Sequence, residues 1–92
     1  MWAIWKYRMP DPRRDGEPSF IEMPEGAVVL TLQDQFQWPT IWVLVDPEAP
    51  KKPRGFRVLG TGWEMPGDPG RYVGTSQRDH GLLVWHLFEV TP

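Results

Sequence analysis

Val28-Val29-Leu30-Thr31-Leu32-Gln33-Asp34-Gln35-Phe36-Gln37-Trp38-Pro39-Thr40-Ile41-Trp42-Val43-Leu44-Val45 decides the fold class. Both halves of this stretch are rich in β-branched, aliphatic and aromatic residues, and the chain between them has room only for a tight reversal. If it reverses at Phe36-Gln37, Val28 faces Val45, Leu30 faces Val43 and Leu32 faces Ile41. Side chains alternate along a strand, so this register gathers six aliphatic residues on one face, and a slip of one residue would scatter them. The opposite face carries Val29, Thr31 and Gln33 against Leu44, Trp42 and Thr40. Being half apolar, that face is a candidate binding surface unless a strand or loop covers it, and cover is the expectation.

A second hairpin follows the same logic. Residues 72–77 and 82–90 flank Arg78-Asp79-His80-Gly81, where Asp tolerates the turn and Gly81 takes the left-handed position after a type I turn. The register then sets Gly74 opposite Trp85, giving the indole a flat place to lie. Leu83, Trp85 and Leu87 alternate with Val84, Phe88 and Val90, so this strand is apolar on both faces. It is expected at the centre of a sheet, or at an edge that pairs with a second subunit. Little chain follows it, so either the N-terminal strand covers it or a homodimer does, and the homodimer is expected.

Eleven prolines and nine glycines interrupt the chain too often for an amphipathic helix, so strands must carry the fold. The runs between these breakers are 2–8, 20–23, 27–35, 38–45, 56–60, 72–77 and 82–90. They predict an all-β single domain over residues 1–92: a small sandwich or half-open barrel of six to seven short, mostly antiparallel strands. A chain of 92 residues cannot close two cores, and with 40% apolar residues it can pack one. Residues 10–19, 46–54 and 60–70 read as irregular. In the third of these, Trp63 and Met65 are expected to fold back as a lid over one end of the core.

Several function classes lose ground on composition. The absence of cysteine removes disulfide and thiolate chemistry and fits a reducing cytoplasm, where the protein is expected. The start is not a secretory signal and no apolar run would span a bilayer, so no membrane partner is expected. A formal charge of −2 from well-mixed signs gives no basic stripe for nucleic acid. Lys51, Lys52 and Arg54 lie among Pro50 and Pro53 and read as a solvated loop.

Catalysis has little to build on. His80 falls at a turn tip, and His86 is expected half-buried and bonded to backbone. No nucleophile elbow and no zinc-binding spacing is present, so no enzyme, no metal and no cofactor is expected. Gly60-Thr61-Gly62 lacks the lysine and helix of a phosphate loop. Joined to Arg57 or Arg71 for phosphate and to Trp63 or Trp42 for stacking, it could still hold a nucleotide signal. Trp5, Trp42 and Trp85 are assigned to the fold, whereas Trp2, Trp38 and Trp63 lie beside a terminus or turns, where aromatic side chains become contact residues. The candidate contact set is therefore Trp38, Trp42, Arg57, Thr61, Trp63 and Arg71.

Ile4-Trp5-Lys6-Tyr7, Met23-Pro24-Glu25-Gly26-Ala27 and the segment from Trp42 to Pro50 that contains Val45-Asp46-Pro47-Glu48-Ala49-Pro50 carry a resemblance across nearly the whole chain. Phe56-Arg57-Val58-Leu59-Gly60-Thr61-Gly62, Tyr72-Val73-Gly74-Thr75 and His86-Leu87-Phe88-Glu89-Val90 complete it. In their order these motifs resemble a family of small phage and prophage proteins that carry a domain of unknown function. The sequence departs from that family in a longer 10–19 loop and in Phe36-Gln37, where a glycine-containing turn is expected. The resemblance implies a phage accessory protein that binds a host protein or a defence signal, with inhibition of host immunity as its purpose. Sequestration of a nucleotide messenger and a minor role in the virion or its assembly are the alternatives.

Overall fold

The computed structural model describes residues 1–65 and 67–90. Seven strands follow one another: β1 Ala3–Arg8, β2 Ser19–Pro24, β3 Val28–Gln35, β4 Trp38–Val45, β5 Lys51–Gly60, β6 Arg71–Arg78 and β7 Leu83–Val90. They form a three-stranded sheet in the order β1-β4-β3 and a four-stranded sheet in the order β2-β5-β7-β6, with every pairing antiparallel. The protein is the all-β sandwich that the alternation predicts. Met9, Met23, Leu32, Ile41, Val43, Val45, Phe56, Val58 and Leu87 fill the space between the sheets. Each such side chain contributes about 1.5–3 kcal/mol by leaving water.

The first hairpin turns where expected but pairs differently. Phe36 and Gln37 take φ of 51° and 64°, the two left-handed residues of a type I′ turn, here without glycine. Leu32 pairs with Ile41 as expected, but Leu30 is an extra residue in a bulge, so Val29 faces Val43 and Val28 faces Leu44. A bulge reverses the alternation beyond it. Val29 therefore packs against the core, while Val28 and Leu30 are each 50% exposed.

The second hairpin closes on the pair Arg78 and Leu83 around a turn at residues 79–82, one residue further along than expected, which places Gly74 opposite Leu87 and Ser76 opposite Trp85; a bulge between Tyr72 and Gly74 shifts the register again only beyond that point. What needs the glycine is the other sheet. A Cβ on Gly74 would stand 3.3 Å from that of Leu32. The turn is left-handed at Asp79, His80 and Gly81 in succession rather than type I, and Gly81 N–H donates to the Arg78 carbonyl at 3.2 Å.

Strand β7 is central, flanked by β5 and β6, while β1 lies in the other sheet. Both edges of β7 are thus paired within the chain, and the symmetry mate expected there has no edge to join. The residues after Val90, and Pro66 within the 60–70 segment, lie outside the described residues. Lys51, Lys52 and Arg54 open strand β5 rather than forming a loop. Pro53 is tolerated because this stretch of β5 pairs with β2 alone, which leaves its missing N–H on the unpaired side. Trp63 folds back as expected: its ring meets Trp85 edge-on at 5.7 Å, and the bare Cα of Gly60 makes room for it. Met65 does not join this lid and remains exposed.

Candidate functional site: the outer face of the three-stranded sheet

Since Ala3, Trp5, Tyr7, Ile41 and Val43 point into the core, their alternates on β1 and β4 must point outward. On β1 these are Ile4, Lys6 and Arg8, paired in the ladder with Leu44, Trp42 and Thr40 of β4. Strand β3 adds Val28, Thr31, Gln33 and Gln35, and its bulge adds Leu30. Ile4, Lys6, Arg8, Val28, Leu30, Thr31 and Gln33 are exposed along this face, in contrast to the cover expected, and only Thr40 is buried among its neighbours. Its apolar part runs from Ile4 across Leu44 to Val28 and Leu30.

Charge collects at the end of the face nearest the first turn. Lys6, Arg8, Gln35, Phe36, Trp38 and Thr40 line an open recess of about 370 Å³. The Trp38 indole N–H donates to the Met9 carbonyl at 2.7 Å, which fixes the ring. The Arg8 guanidinium lies 4.9 Å from the ring centroid and that of Arg78 5.8 Å, close enough for cation–π attraction. Lys6 Nζ donates to Gln35 Oε1 at 2.9 Å. The ion pairs among the described residues are Arg13–Asp15, Arg54–Glu89 and Arg71–Glu89, so Lys6, Arg8 and Arg78 meet no carboxylate there. Arg78 instead donates to the Gln37 carbonyl, and beside it Phe36 stands 92% exposed. A bulky side chain at positive φ is uncommon and costs roughly 1–2 kcal/mol, so a left-handed phenylalanine projecting into water calls for a reason other than packing.

The six residues singled out in the sequence do not assemble into one site. Trp38 and Trp42 lie on this face. Thr61 and Trp63 follow β5, and Arg57 and Arg71 belong to the four-stranded sheet. Arg57 donates to the Gly16 carbonyl at 2.6 Å and to that of Pro69 at 2.9 Å, pinning two loops over the sheet's outer side. Arg71 pairs with Glu89 at 2.9 Å. Trp63 is held between Trp85 and the Arg14 guanidinium, which sits 4.4 Å from its centroid. The nucleotide pocket sketched from these residues is not brought together. Lys6, Arg8, Phe36 and Arg78 were missed, and the one signal for them was Phe36 in a turn that favours glycine.

His86 bonds to side chains rather than to backbone. Its Nε2 lies 2.7 Å from Thr61 Oγ1 and its Nδ1 3.1 Å from Thr75 Oγ1, which in turn lies 2.6 Å from the Tyr72 hydroxyl. A hydroxyl beside an imidazole is the first half of a nucleophilic site, but the group orienting this ring is a neutral hydroxyl rather than a carboxylate. Among the described residues no three His, Cys, Asp or Glu side chains are grouped to hold a metal, and no helix is long and apolar enough to cross a membrane.

Neither the curated proteins nor the solved structures searched contain a match to this chain. A family model does match, described as a domain of unknown function, DUF7352, over residues 1–92. Since the match runs the full length of the sandwich, the chain belongs to the DUF7352 family.

Proposed function

We propose that this protein is a non-catalytic binding module that docks a protein partner on the outer face of its three-stranded sheet. The observation that carries this reading is Phe36, left-handed and 92% exposed, beside a Trp38 flanked by Arg8 and Arg78. Tryptophan and arginine side chains are over-represented among the groups that dominate binding energy. With Lys6 they fit a partner segment that alternates apolar and acidic residues. The apolar strip of Ile4, Leu44, Val28 and Leu30 extends the contact beyond the recess.

The resemblance to phage and prophage proteins supports a host protein as that partner and interference with host immunity as the purpose. Affinity capture from host lysate tests the reading with three forms of the protein. The unaltered chain and a control altered on the opposite side, Tyr72→Ala, retain the same partner. Phe36→Gly combined with Arg8→Glu loses it. Equal capture by all three forms would place the interface elsewhere, and turnover of a substrate by the purified chain would end the non-catalytic reading. A nucleotide messenger is the second reading, favoured by Lys6 and Arg8 standing beside two aromatic rings in the same recess. A thermal-shift screen decides it, since a ligand at one hundred times its dissociation constant stabilises by about 2.7 kcal/mol.

A further inference from the structure

The sandwich has four sheet edges: β1 and β3 in one sheet, β2 and β6 in the other. An edge presents unpaired N–H and C=O groups that will accept another strand, and natural sheets blunt such edges with bulges, prolines or cover. Strands β3 and β6 are each interrupted by a bulge, and they pack against one another where the two sheets meet. Strand β2 ends on Pro24 and follows directly on Pro18. Strand β1 has no bulge, proline or covering strand, and its edge is guarded only by the charges of Lys6 and Arg8, which any added strand must meet. Its register runs unbroken from Ala3 opposite Val45 to Arg8 opposite Thr40, and no described strand occupies its other side. Exposed apolar side chains also gather here, with Trp2 56% and Ile4 59% exposed.

We propose that β1 pairs antiparallel with β1 of a second copy of this chain, with Trp5 on the twofold axis. The occupant follows from the residue order of the strand. A twofold axis perpendicular to the sheet keeps outer side chains opposite outer ones, so the axis must pass through a residue and not between two. With Trp5 on the axis, Ile4 stands opposite the partner's Lys6, Ala3 opposite the partner's Tyr7 and Trp2 opposite the partner's Arg8. Small meets large, a cation meets an indole, and no like charges face each other. Centring on Lys6 would oppose two lysines, and centring on Tyr7 would oppose Lys6 and Arg8. Centring on Ile4 would leave Arg8 beyond the end of the ladder. Trp5 thus gives the longest ladder free of like-charge pairs. The half-buried Trp5 ring gains cover, and the two three-stranded sheets become one of six strands.

The chain has no cysteine, which makes the test direct. Directly opposed residues of an antiparallel pair lie within disulfide reach. Ile4→Cys and Lys6→Cys both alter outward side chains, and far-UV circular dichroism checks that each variant keeps the fold. Mixed and oxidised, the two variants are expected to give mainly the crossed disulfide dimer, with little from either alone. A dominant Ile4→Cys or Lys6→Cys homodimer, or no disulfide dimer, overturns the proposal. Sedimentation equilibrium gives an independent reading. Self-association of the unaltered chain is lost in Ile4→Lys, which opposes two ammonium groups, and kept in Ile4→Glu, which faces the partner's Lys6 with a carboxylate. A monomeric mass for the unaltered chain across the whole soluble range also overturns it.

Discussion

Replacing Phe36 by glycine is expected to make the protein more stable while removing its ability to bind. At φ of 51° the phenylalanine Cβ crowds the following carbonyl, a strain of roughly 1–2 kcal/mol that glycine does not feel. Glycine brings back a loss of its own, because a freer unfolded chain costs about 0.5–1 kcal/mol on folding. Packing adds almost nothing to either side, since the ring is 92% exposed. The balance is a gain of about 0.5–1 kcal/mol. In a domain of this size that raises Tm by roughly 2–8 °C, measurable by calorimetry or thermal circular dichroism. Partner affinity, measured by titration calorimetry or surface capture, is expected to fall at least tenfold, because truncating a hot-spot side chain typically costs more than about 1.4 kcal/mol. Stability that falls with the substitution would refute the reasoning, for it would mean that the ring supports the fold. Unchanged affinity would refute the assignment of Phe36 to the contact surface.

Three further outcomes follow from the packing. Burial alone would raise the Glu89 carboxyl, but its hydrogen bonds to Arg54 and Arg71 and their charges outweigh this and hold it below the usual carboxylate range. A lowered carboxylate contributes stability that is complete above its unfolded value, near 4.5, and is lost as pH falls through the folded value. Acid melts of the unaltered chain should therefore show a drop in Tm below that range that Glu89→Gln lacks, while Glu89→Gln at neutral pH costs about 2–3 kcal/mol in urea melts. Gly74→Val pushes two methyl groups toward Leu32, whose Cβ already stands 3.3 Å from where a Cβ on Gly74 would lie, and is expected to cost about 1–3 kcal/mol in the same assay. Trp63→Ala strips the cover from Trp85 and is expected to cost about 2 kcal/mol and to shift the tryptophan emission to longer wavelength as water reaches that ring.

The sequence made the strands legible because a two-residue period survives wherever one face is buried. Residues 28–45 announced a hairpin, and the turn fell on Phe36-Gln37 as read. What the period could not show was the extra residue at Leu30. An apolar bulge looks like one more step of alternation until the partner strand is known, and the same holds at Val73. The start of β5 was hidden for a different reason: Pro50 and Pro53 punctuate it, and only its pairing with β2 alone makes them harmless. Of the candidate site, Trp38 and Trp42 could be picked out as aromatics near a turn. Lys6, Arg8 and Arg78 could not, because they come together from strands far apart in the sequence and their charges vanish into a well-mixed background.

The link from Arg78 to the Gln37 carbonyl joins the tips of two hairpins that belong to different sheets. Such a brace limits how far the first turn can swing, so the recess beside Trp38 is held open before anything enters it. A surface that loses little freedom on docking keeps more of its gross contact energy as affinity, and among related complexes that gain appears mainly as slower release. The brace also runs the other way. A partner seated on Phe36 and Trp38 restrains the 79–81 turn through Arg78, so amide exchange in a loop that touches no ligand should slow when the face is occupied.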